Sequence, residues 1–207
     1  KVYEEIPSHP KKMREMDYGD LLPIRKTYEE LDRPVANDYV ITSFKMRNDF
    51  KKEKIVVDLY LYIFLRMKFG SDMDFVMKLA HDKIIIGGVG HSCFYFKDTL
   101  TITFSADVLD EEKFMKRLKG ELNSNGLDER LFELIKRTLK VNELSKKDAI
   151  YKKLLGFHTQ TEFTEKLYNM DIIDKLNLKE LKEIVDSVDW SLQTTCVIRA
   201  FKNKEQN

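Results

Sequence analysis

Residues 99–106 restrict the possible folds of this chain most strongly, because they alternate strictly between apolar residues and residues that carry a hydroxyl group. The apolar positions are Leu100, Ile102, Phe104 and Ala106. Alternation with a period of two is typical of a β-strand with one buried and one exposed face. We therefore expect Leu100, Ile102 and Phe104 in the core of a sheet and the hydroxyl groups on its other face.

A second strand directly precedes this segment. Residues 84–86 are isoleucines, residues 87–90 include three glycines, and residues 93–96 are again apolar or aromatic. Lys97 and Asp98 alone separate the two runs, and so short a connection predicts an antiparallel hairpin. The glycines lack the Lys-Ser/Thr pair and the strand-to-helix context of a phosphate-binding loop. A bend or bulge in the strand is therefore the better interpretation.

The rest of the chain supplies further strands and helices. Enrichment in β-branched and aromatic residues predicts strands at residues 21–30 and 38–47, and alternation predicts another at residues 194–201. Apolar residues three and four apart predict helices at residues 56–67, 73–80, 111–122, 131–139 and 178–188, and others beginning near Ser145 and Thr161. Residues 1–20 are interpreted as a linker, which leaves one domain over residues 21–207. The predicted fold class is α+β, with a mainly antiparallel sheet of about five strands and helices packed on one face.

Side chains that accept hydrogen bonds from backbone N–H groups mark several predicted helix starts. These N-caps are Asn48 or Asp49, Ser71, Asp110, and Asn177 with Glu180 three residues later. The short helix at residues 73–80 has a methionine-rich face, which is expected to pack in the core. That face consists of Met73, Val76, Met77 and Ala80.

The charge balance argues against nucleic acid or an anionic membrane surface as a partner. The chain has 36 basic and 35 acidic residues, so no net field attracts a polyanion. The longest apolar run, residues 56–65, contains Asp58 and is too short to span a membrane. Cys93 and Cys196 lie on separate predicted strands, which favours reduced thiols, although a disulfide remains possible if those strands are neighbours. No signal peptide is recognisable, and we expect a cytoplasmic protein.

The order of these elements resembles one repeat of the insulinase, pitrilysin and mitochondrial-processing-peptidase superfamily of zinc metallopeptidases. The resemblance covers nearly the whole chain from residue 21 onward and rests on the order and spacing of three segments. They are residues 100–108 followed by Asp110-Glu-Glu-Lys, residues 126–136, and residues 178–198. Members of this superfamily pair two such α/β repeats around an enclosed chamber in which unfolded peptides are cut. Only one of the two repeats carries zinc.

The zinc-bearing repeat of that superfamily needs His-x-x-Glu-His on a helix, which places two imidazoles on one face and a Glu beside the bound water. This motif is absent from the sequence in either direction, and the histidines are His9, His81, His91 and His158. The resemblance therefore implies an inactive repeat of the C-terminal type. Such a repeat has no catalytic residue and no metal ligand of its own, and the zinc is expected in a partner repeat.

Two other arrangements of reactive side chains have simple structural explanations. His158 and Glu162 are four residues apart, but such a pair on a helix surface or a loop is usually just solvated. His91 and Cys93 share one face of an extended strand, but no acid that would orient the histidine is evident.

The resemblance also implies where substrate is held. In active members the second repeat supplies an Arg and, seven residues on, a Tyr that hold the substrate backbone and the developing oxyanion. Lys78 and Ile85 occupy these positions here, so the Tyr is lost and the Arg is replaced by a point charge. The candidate substrate-binding residues are Lys78 together with Thr99, Thr101 and Thr103 on the hydroxyl-bearing face of the strand.

Two functions of different classes follow. In the first, the chain is the non-catalytic half of a zinc peptidase and forms a polar chamber wall around unfolded peptide. It stands opposite a second repeat, in cis or in trans, that carries His-x-x-Glu-His. In the second, it is a stand-alone protein-interaction or scaffold domain with the same fold and no proteolytic role. A His-x-x-Glu-His motif upstream of Lys1, or in a co-purifying chain, distinguishes them.

Overall fold

The computed structural model describes residues 23–70, 72–96, 99–124, 126–146 and 170–201. Within these ranges the chain forms five strands and six helices. The strands are β1 (Tyr28–Arg33), β2 (Asp38–Arg47), β3 (Ile85–Phe96), β4 (Thr99–Val108) and β5 (Gln193–Ala200). The helices are α1 (Lys54–Phe69), α2 (Asp74–His81), α3 (Glu111–Leu122), α4 (Glu129–Lys146), α5 (Met170–Lys175) and α6 (Leu178–Asp186).

The five strands form one sheet in the order β1-β5-β2-β4-β3. Neighbouring strands are antiparallel except for β1 and β5, which pair in parallel. Because β5 lies between β1 and β2, the sheet is complete only when the last described strand has joined the first two. The predicted α+β class with a mainly antiparallel sheet is confirmed.

The core lies on the side of the sheet that carries Leu100, Ile102 and Phe104, all 0% exposed. Phe104 packs edge-on against Phe69 of α1 and Phe44 of β2, with ring centroids 4.8 and 6.1 Å apart. Such T-shaped aromatic pairs stabilise a core beyond the effect of burying their area. The predicted core residues of β4 are confirmed.

Strands β3 and β4 form the predicted antiparallel hairpin, and the glycines mark a bulge in it. The register shifts between Ile86 and Gly90, and Gly87 has a φ of 80°, a conformation that favours glycine. A Cβ atom at Gly90 would lie 2.7 Å from Oγ of Ser105, so the neighbouring strand comes very close there. The interpretation of this stretch as a bulge is confirmed.

Helix α1 contacts β3, α4 and α6, and it is buried on most sides for that reason. Eleven of its 16 residues are buried, which explains why its apolar residues form more than one narrow stripe. The residue before the helix is Glu53, which makes no side-chain cap. The predicted cap at Asn48 or Asp49 is wrong, because β2 continues to Arg47 and the next residues carry the chain from the sheet to the helix layer.

Two predicted N-caps are confirmed. Oδ1 of Asp110 accepts a hydrogen bond from the backbone N–H of Lys113 at 3.0 Å, at the start of α3. Oδ1 of Asn177 accepts one from the N–H of Glu180 at 2.9 Å, at the start of α6. Ser145 is not a helix start, because it lies inside α4 and its hydroxyl donates to the carbonyl of Asn142. The predicted cap Ser71 and the predicted helix near Thr161 lie outside the described residues.

Helix α2 turns a different face to the core from the predicted one. Val76 and Leu79 are buried, whereas Met77 is 60% exposed and Ala80 is exposed. Residues 73, 77 and 80 are spaced as regularly as residues 76 and 79, so periodicity alone does not choose between the two faces. In α4, similarly, Leu134 is 58% exposed and Phe132 is buried instead.

Strand β1 lies later in the chain than the predicted strand at residues 21–30. It pairs with residues 195–200 of β5, from Tyr28 to Arg33, and Pro34 follows directly. A parallel partner more than 150 residues away in sequence leaves no local signal, so composition alone does not place the boundary of this strand.

The structure also bears on the two cysteines and on whether a helix could cross a membrane. Cys93 and Cys196 are free thiols, and β2 and β4 lie between their strands, so the disulfide alternative is excluded within one chain. None of the helices in the described ranges is long and apolar enough to cross a membrane.

Arg199 of β5 forms ion pairs with residues of three other elements. Its guanidinium forms ion pairs with Glu30 of β1 and Asp38 of β2, both at 2.9 Å, and with Glu111 of α3 at 2.7 Å. Hydrogen bonds to Glu30, then to Asp38, raise the pKa of Arg199 above its ordinary value. Arg199 therefore stays charged and links three neighbouring strands to helix α3.

Candidate functional site

The candidate site is the side of the sheet opposite the core, called the open face below. Residues that pair across neighbouring strands point to the same side, so the register assigns each side chain to one face. Thr101 and Thr103 alternate with the core residues of β4 and pair with Lys45 and Ser43 of β2. These four side chains therefore share the open face, away from the core cluster.

Two of the predicted threonines lie on this face and are partly buried. The hydroxyls of Ser43 and Thr103 are 2.9 Å apart and form a hydrogen bond between β2 and β4. Thr99 differs, because its side chain is 6% exposed. The expectation that Thr99 points into solvent is therefore wrong.

The structure does not bring Lys78 to the threonines. Lys78 lies on α2, whose buried residues Val76 and Leu79 belong to the core on the other side of the sheet. Its ammonium group is exposed and pairs with Asp74 one turn earlier. Ile85, which occupies the position where the resemblance requires a Tyr, is buried on the core side and 3% exposed.

The open face is less uniformly polar than its central strand predicts. At one end it carries Leu31, Ile198, Tyr39 and Ile86 together with the acidic residues Glu29 and Asp107, and at the other end Lys45 and Arg47 together with Phe94. This face is therefore polar along β4 and mixed in character on the neighbouring strands. The sequence did not predict this grouping, because the face that a strand residue occupies is fixed by its partners, and β2 alternates without an obvious polar side.

A second group of titratable side chains lies on the core side of β3. Burial raises the pKa of the Cys93 thiol above its ordinary value, and the nearby charge of Asp58 adds to the effect. Burial also raises the pKa of Asp58 to about 6 and lowers the pKa of His91, with the charge of Arg66 contributing at His91. A protonated thiol is a poor nucleophile, which supports a structural explanation for the His91 and Cys93 pair.

Among the described residues, no group of three or more His, Cys, Asp or Glu side chains lies close enough to hold a metal ion. His9, His158 and Glu162 lie outside those ranges. The structure therefore neither tests the His158 and Glu162 pair nor bears on the expectation that zinc belongs to a partner.

Comparison with known proteins gives a structural similarity without a sequence match. No protein-family model matches the sequence, and no curated protein matches it either. Many solved structures do match the fold.

Three of these structures indicate what the fold is similar to. A chain described as an M16-like peptidase from Alicyclobacillus acidocaldarius has a TM-score of 0.73 at 13% identity, over 84% of this chain and 44% of that one. An insulinase family protease from Yersinia pestis has a TM-score of 0.56 at 15% identity, over 86% of this chain and 43% of that one. A zinc protease from Bordetella pertussis Tohama I has a TM-score of 0.65 at 12% identity, over 82% of this chain and 97% of that one.

The chain spans less than half the length of the structures from Alicyclobacillus acidocaldarius and Yersinia pestis, at 44% and 43%. At 12 to 15% identity, these similarities concern the fold and not the chemistry. The described part of the chain thus has the fold of one half of an M16-like or insulinase-type peptidase.

Proposed function

We propose that this chain is a non-catalytic half of a zinc-dependent peptidase and forms part of the wall that confines the substrate. The observation that carries the proposal is the similarity of 84% of this chain to 44% of an M16-like peptidase chain. A half-length match is expected for a protein in which two such halves enclose a chamber, the arrangement that the sequence resemblance implies. The catalytic repeat is then in the same protein or in another subunit.

The sequence supports the non-catalytic assignment. None of the four histidines stands in a His-x-x-Glu-His motif. A catalytic zinc site needs three protein ligands in fixed geometry, and scattered histidines do not supply them. Zinc and the attacking water then belong to the facing repeat, and this chain contributes shape and contacts to the peptide.

The open face is the surface we assign to the chamber. Its central strand carries Thr101 and Thr103, whose hydroxyl groups donate and accept hydrogen bonds. Hydroxyl groups can pair with the backbone of many extended peptides, which gives contact without strong sequence preference. Thr99 is too buried to contribute as much, and Lys78 would act only at the rim, since it lies on the helix side.

The test is recovery of the facing repeat from native extract with the full-length protein, followed by a peptide-hydrolysis assay of the assembled pair. Thr101→Arg places a long cation on the chamber wall and should lower hydrolysis several-fold. Thr138→Arg is the matched control, because Thr138 is exposed on α4 in the helix layer. The proposal fails if no second repeat is recovered, or if Thr101→Arg hydrolyses peptides as fast as the control.

One observation favours the alternative of a stand-alone interaction domain. Leu134, Val141 and Leu144 are 58%, 62% and 49% exposed and follow one side of α4. Exposed apolar side chains along a helix are a common docking surface. Recovery of a non-peptidase partner that is lost with Val141→Glu would favour this alternative.

A further inference from the structure

A cleft with a volume of about 360 Å³ lies where helices α3 and α6 end, next to the segment that leads into β5. Small-molecule sites in proteins have volumes of roughly 300 to 1,000 Å³, so this cleft suits a ligand at the small end of that range. None of its described lining residues belongs to a strand. The cleft is therefore a separate feature from the open face.

The floor of the cleft is apolar and is continuous with the core. Trp190, Leu127 and Val185 line it, and all three are partly buried and pack against the core cluster. The indole ring of Trp190 lies edge-on to the ring of Phe44, with centroids 5.3 Å apart, which holds the indole in place. An apolar group in the cleft would thus leave water for contact with a fixed aromatic wall.

The wall at the end of α3 is held in place by a buried ion pair. Lys68 of α1 is 7% exposed, and its Nζ lies 2.8 Å from Oε1 of Glu121 and donates to Oγ of Ser124 at 2.6 Å. Ser124 lines the cleft, and its hydroxyl donates in turn to the carbonyl of Glu121 at 2.8 Å. A wall that is positioned before a ligand arrives lowers the cost of ordering on binding.

Two opposite charges lie on the α6 side of the cleft. Lys182 and Asp186 line it together with Val185, because residues three and four apart share one side of a helix. Both charged residues are exposed, and neither forms an ion pair within the part of the chain that the structure describes. Lys179 and Glu183 of the same helix, in contrast, pair with each other at 3.9 Å. The cleft therefore presents one cation and one anion beside an apolar floor.

We propose that this cleft binds a free amino acid with a large apolar side chain. The α-carboxylate of the ligand pairs with Lys182, its α-ammonium group donates to Asp186, and its side chain lies against Trp190 and Leu127. An amino acid carries both charges on one carbon atom, which suits two side chains one helical turn, about 5.4 Å, apart. In a longer peptide the terminal charges move apart by about 3.3 to 3.6 Å per residue.

This inference goes beyond the proposed function and does not depend on it, since the cleft lies away from the open face. The emission of Trp190 reports on the cleft directly, because Trp190 is the only tryptophan of the chain. The experiment titrates L-leucine into the full 207-residue chain and follows this emission, with isothermal titration calorimetry as an independent measure of affinity.

Three related ligands test each contact separately. Leucine amide lacks the carboxylate, N-acetylleucine lacks the ammonium group, and glycine lacks the apolar side chain. We expect leucine to bind about two- to fivefold more tightly than either modified leucine, the usual effect of an exposed ion pair. Glycine should bind at least about tenfold more weakly than leucine, because it buries no apolar side chain.

Variants of the two charged residues assign each contact to its partner. In Lys182→Gln, leucine and leucine amide should bind equally, while N-acetylleucine should still bind more weakly. In Asp186→Asn, leucine and N-acetylleucine should bind equally, while leucine amide should still bind more weakly. Lys179→Gln with Glu183→Gln is the matched control, since both residues are exposed on α6 and lie outside the described lining. The control should keep the preferences of the wild type.

Several outcomes would overturn the inference. The cleft is not an amino-acid site if leucine at millimolar concentration changes neither the emission of Trp190 nor the heat of mixing, or if leucine and its two modified forms bind the wild type equally. Tighter binding of leucyl-leucine than of leucine would identify a peptide end as the ligand instead. An equal loss of binding in the control variant would show that the charges of the cleft are not specific. These results leave the proposed function untouched, because they do not involve the facing repeat.

Discussion

Asp58 is a charged residue in an otherwise apolar part of α1, and its burial has a consequence for stability. Burial raises the pKa of this carboxyl from 3.8 to about 6, with Cys93 and Tyr95 of β3 nearby. The folded state therefore binds this proton more tightly than the unfolded state does. The resulting stability is present below about pH 4 and is lost as the pH rises through about 6.

Asp58→Asn should remove the loss of folding stability that accompanies ionisation of this carboxyl. Each unit of pKa corresponds to about 1.4 kcal/mol, so between pH 4 and pH 7 the variant should gain up to about 3 kcal/mol relative to the wild type. The measurement is urea denaturation of both proteins across this pH range.

Asp189→Asn is the control with the opposite sign. Hydrogen bonds from Ser191 lower the pKa of Asp189, so its contribution to stability is present at neutral pH and lost in acid. If Asp58→Asn and the wild type keep a constant difference in unfolding free energy from pH 4 to pH 7, the carboxyl is not destabilised by burial.

Replacing Phe104 measures how much one buried aromatic ring contributes to the stability of the core. It is 0% exposed and packs against two other aromatic rings, so Phe104→Ala should lower the free energy of unfolding by roughly 3 to 5 kcal/mol. Phe94→Ala is the matched control, because Phe94 lies on the open face and is 46% exposed. Thermal melts of the two variants that differ by less than a few degrees would contradict the assignment of Phe104 to the core.

At the scale of elements, the bulge in β3 depends on one glycine. Gly87 has a φ of 80°, and an L-residue in that conformation costs about 1 to 2 kcal/mol, so Gly87→Ala should destabilise the protein by about that amount. A Cβ at Gly87 meets no atom within 4 Å, so the effect is one of backbone conformation and not of a clash.

Gly88→Ala is the control for the bulge. A Cβ at Gly88 would also meet no atom within 4 Å, and Gly88 has no positive φ, so this change should be neutral or stabilise by up to about 1 kcal/mol. Chemical denaturation of the two variants in parallel measures the difference. Equal stability of Gly87→Ala and Gly88→Ala would show that the bulge does not require glycine.

The elements predicted correctly are those with local signals. The hairpin of β3 and β4 joins neighbouring segments, and Asp110 and Asn177 cap their helices by accepting from N–H groups only three residues later. The wrong predictions concern features that are determined by parts of the chain distant in sequence. Periodicity did not show which face of α2 is buried, and composition did not place β1, because β5 fixes its position.

In the candidate site, too, residues with a local sequence signal were predicted and residues placed by distant partners were not. The alternation in β4 placed Thr101 and Thr103 on a common face, which the structure confirms. Lys45 and Arg47 were missed, as were Leu31, Tyr39, Ile86 and Ile198, because their shared location follows from the pairing of neighbouring strands. Only the assembled sheet shows that these residues share one surface.

At the scale of the whole molecule, the two faces of the sheet have separate roles in our proposal. The core side holds the helices and the aromatic cluster, and it gives the domain its stability. The open face provides the contacts to peptide. A change to Thr101 should therefore affect peptide binding far more than stability, whereas a change to Phe104 should do the reverse.

The isolated chain should bind no stoichiometric catalytic zinc and should cleave no peptide, because the sequence contains no His-x-x-Glu-His motif. The measurements are elemental analysis of dialysed protein and hydrolysis of a quenched fluorescent peptide. Mixing with the zinc-bearing repeat should restore hydrolysis, and the metal content should follow that repeat. One zinc per chain, together with hydrolysis that His158→Ala abolishes, would contradict the prediction and place the catalytic centre in this chain.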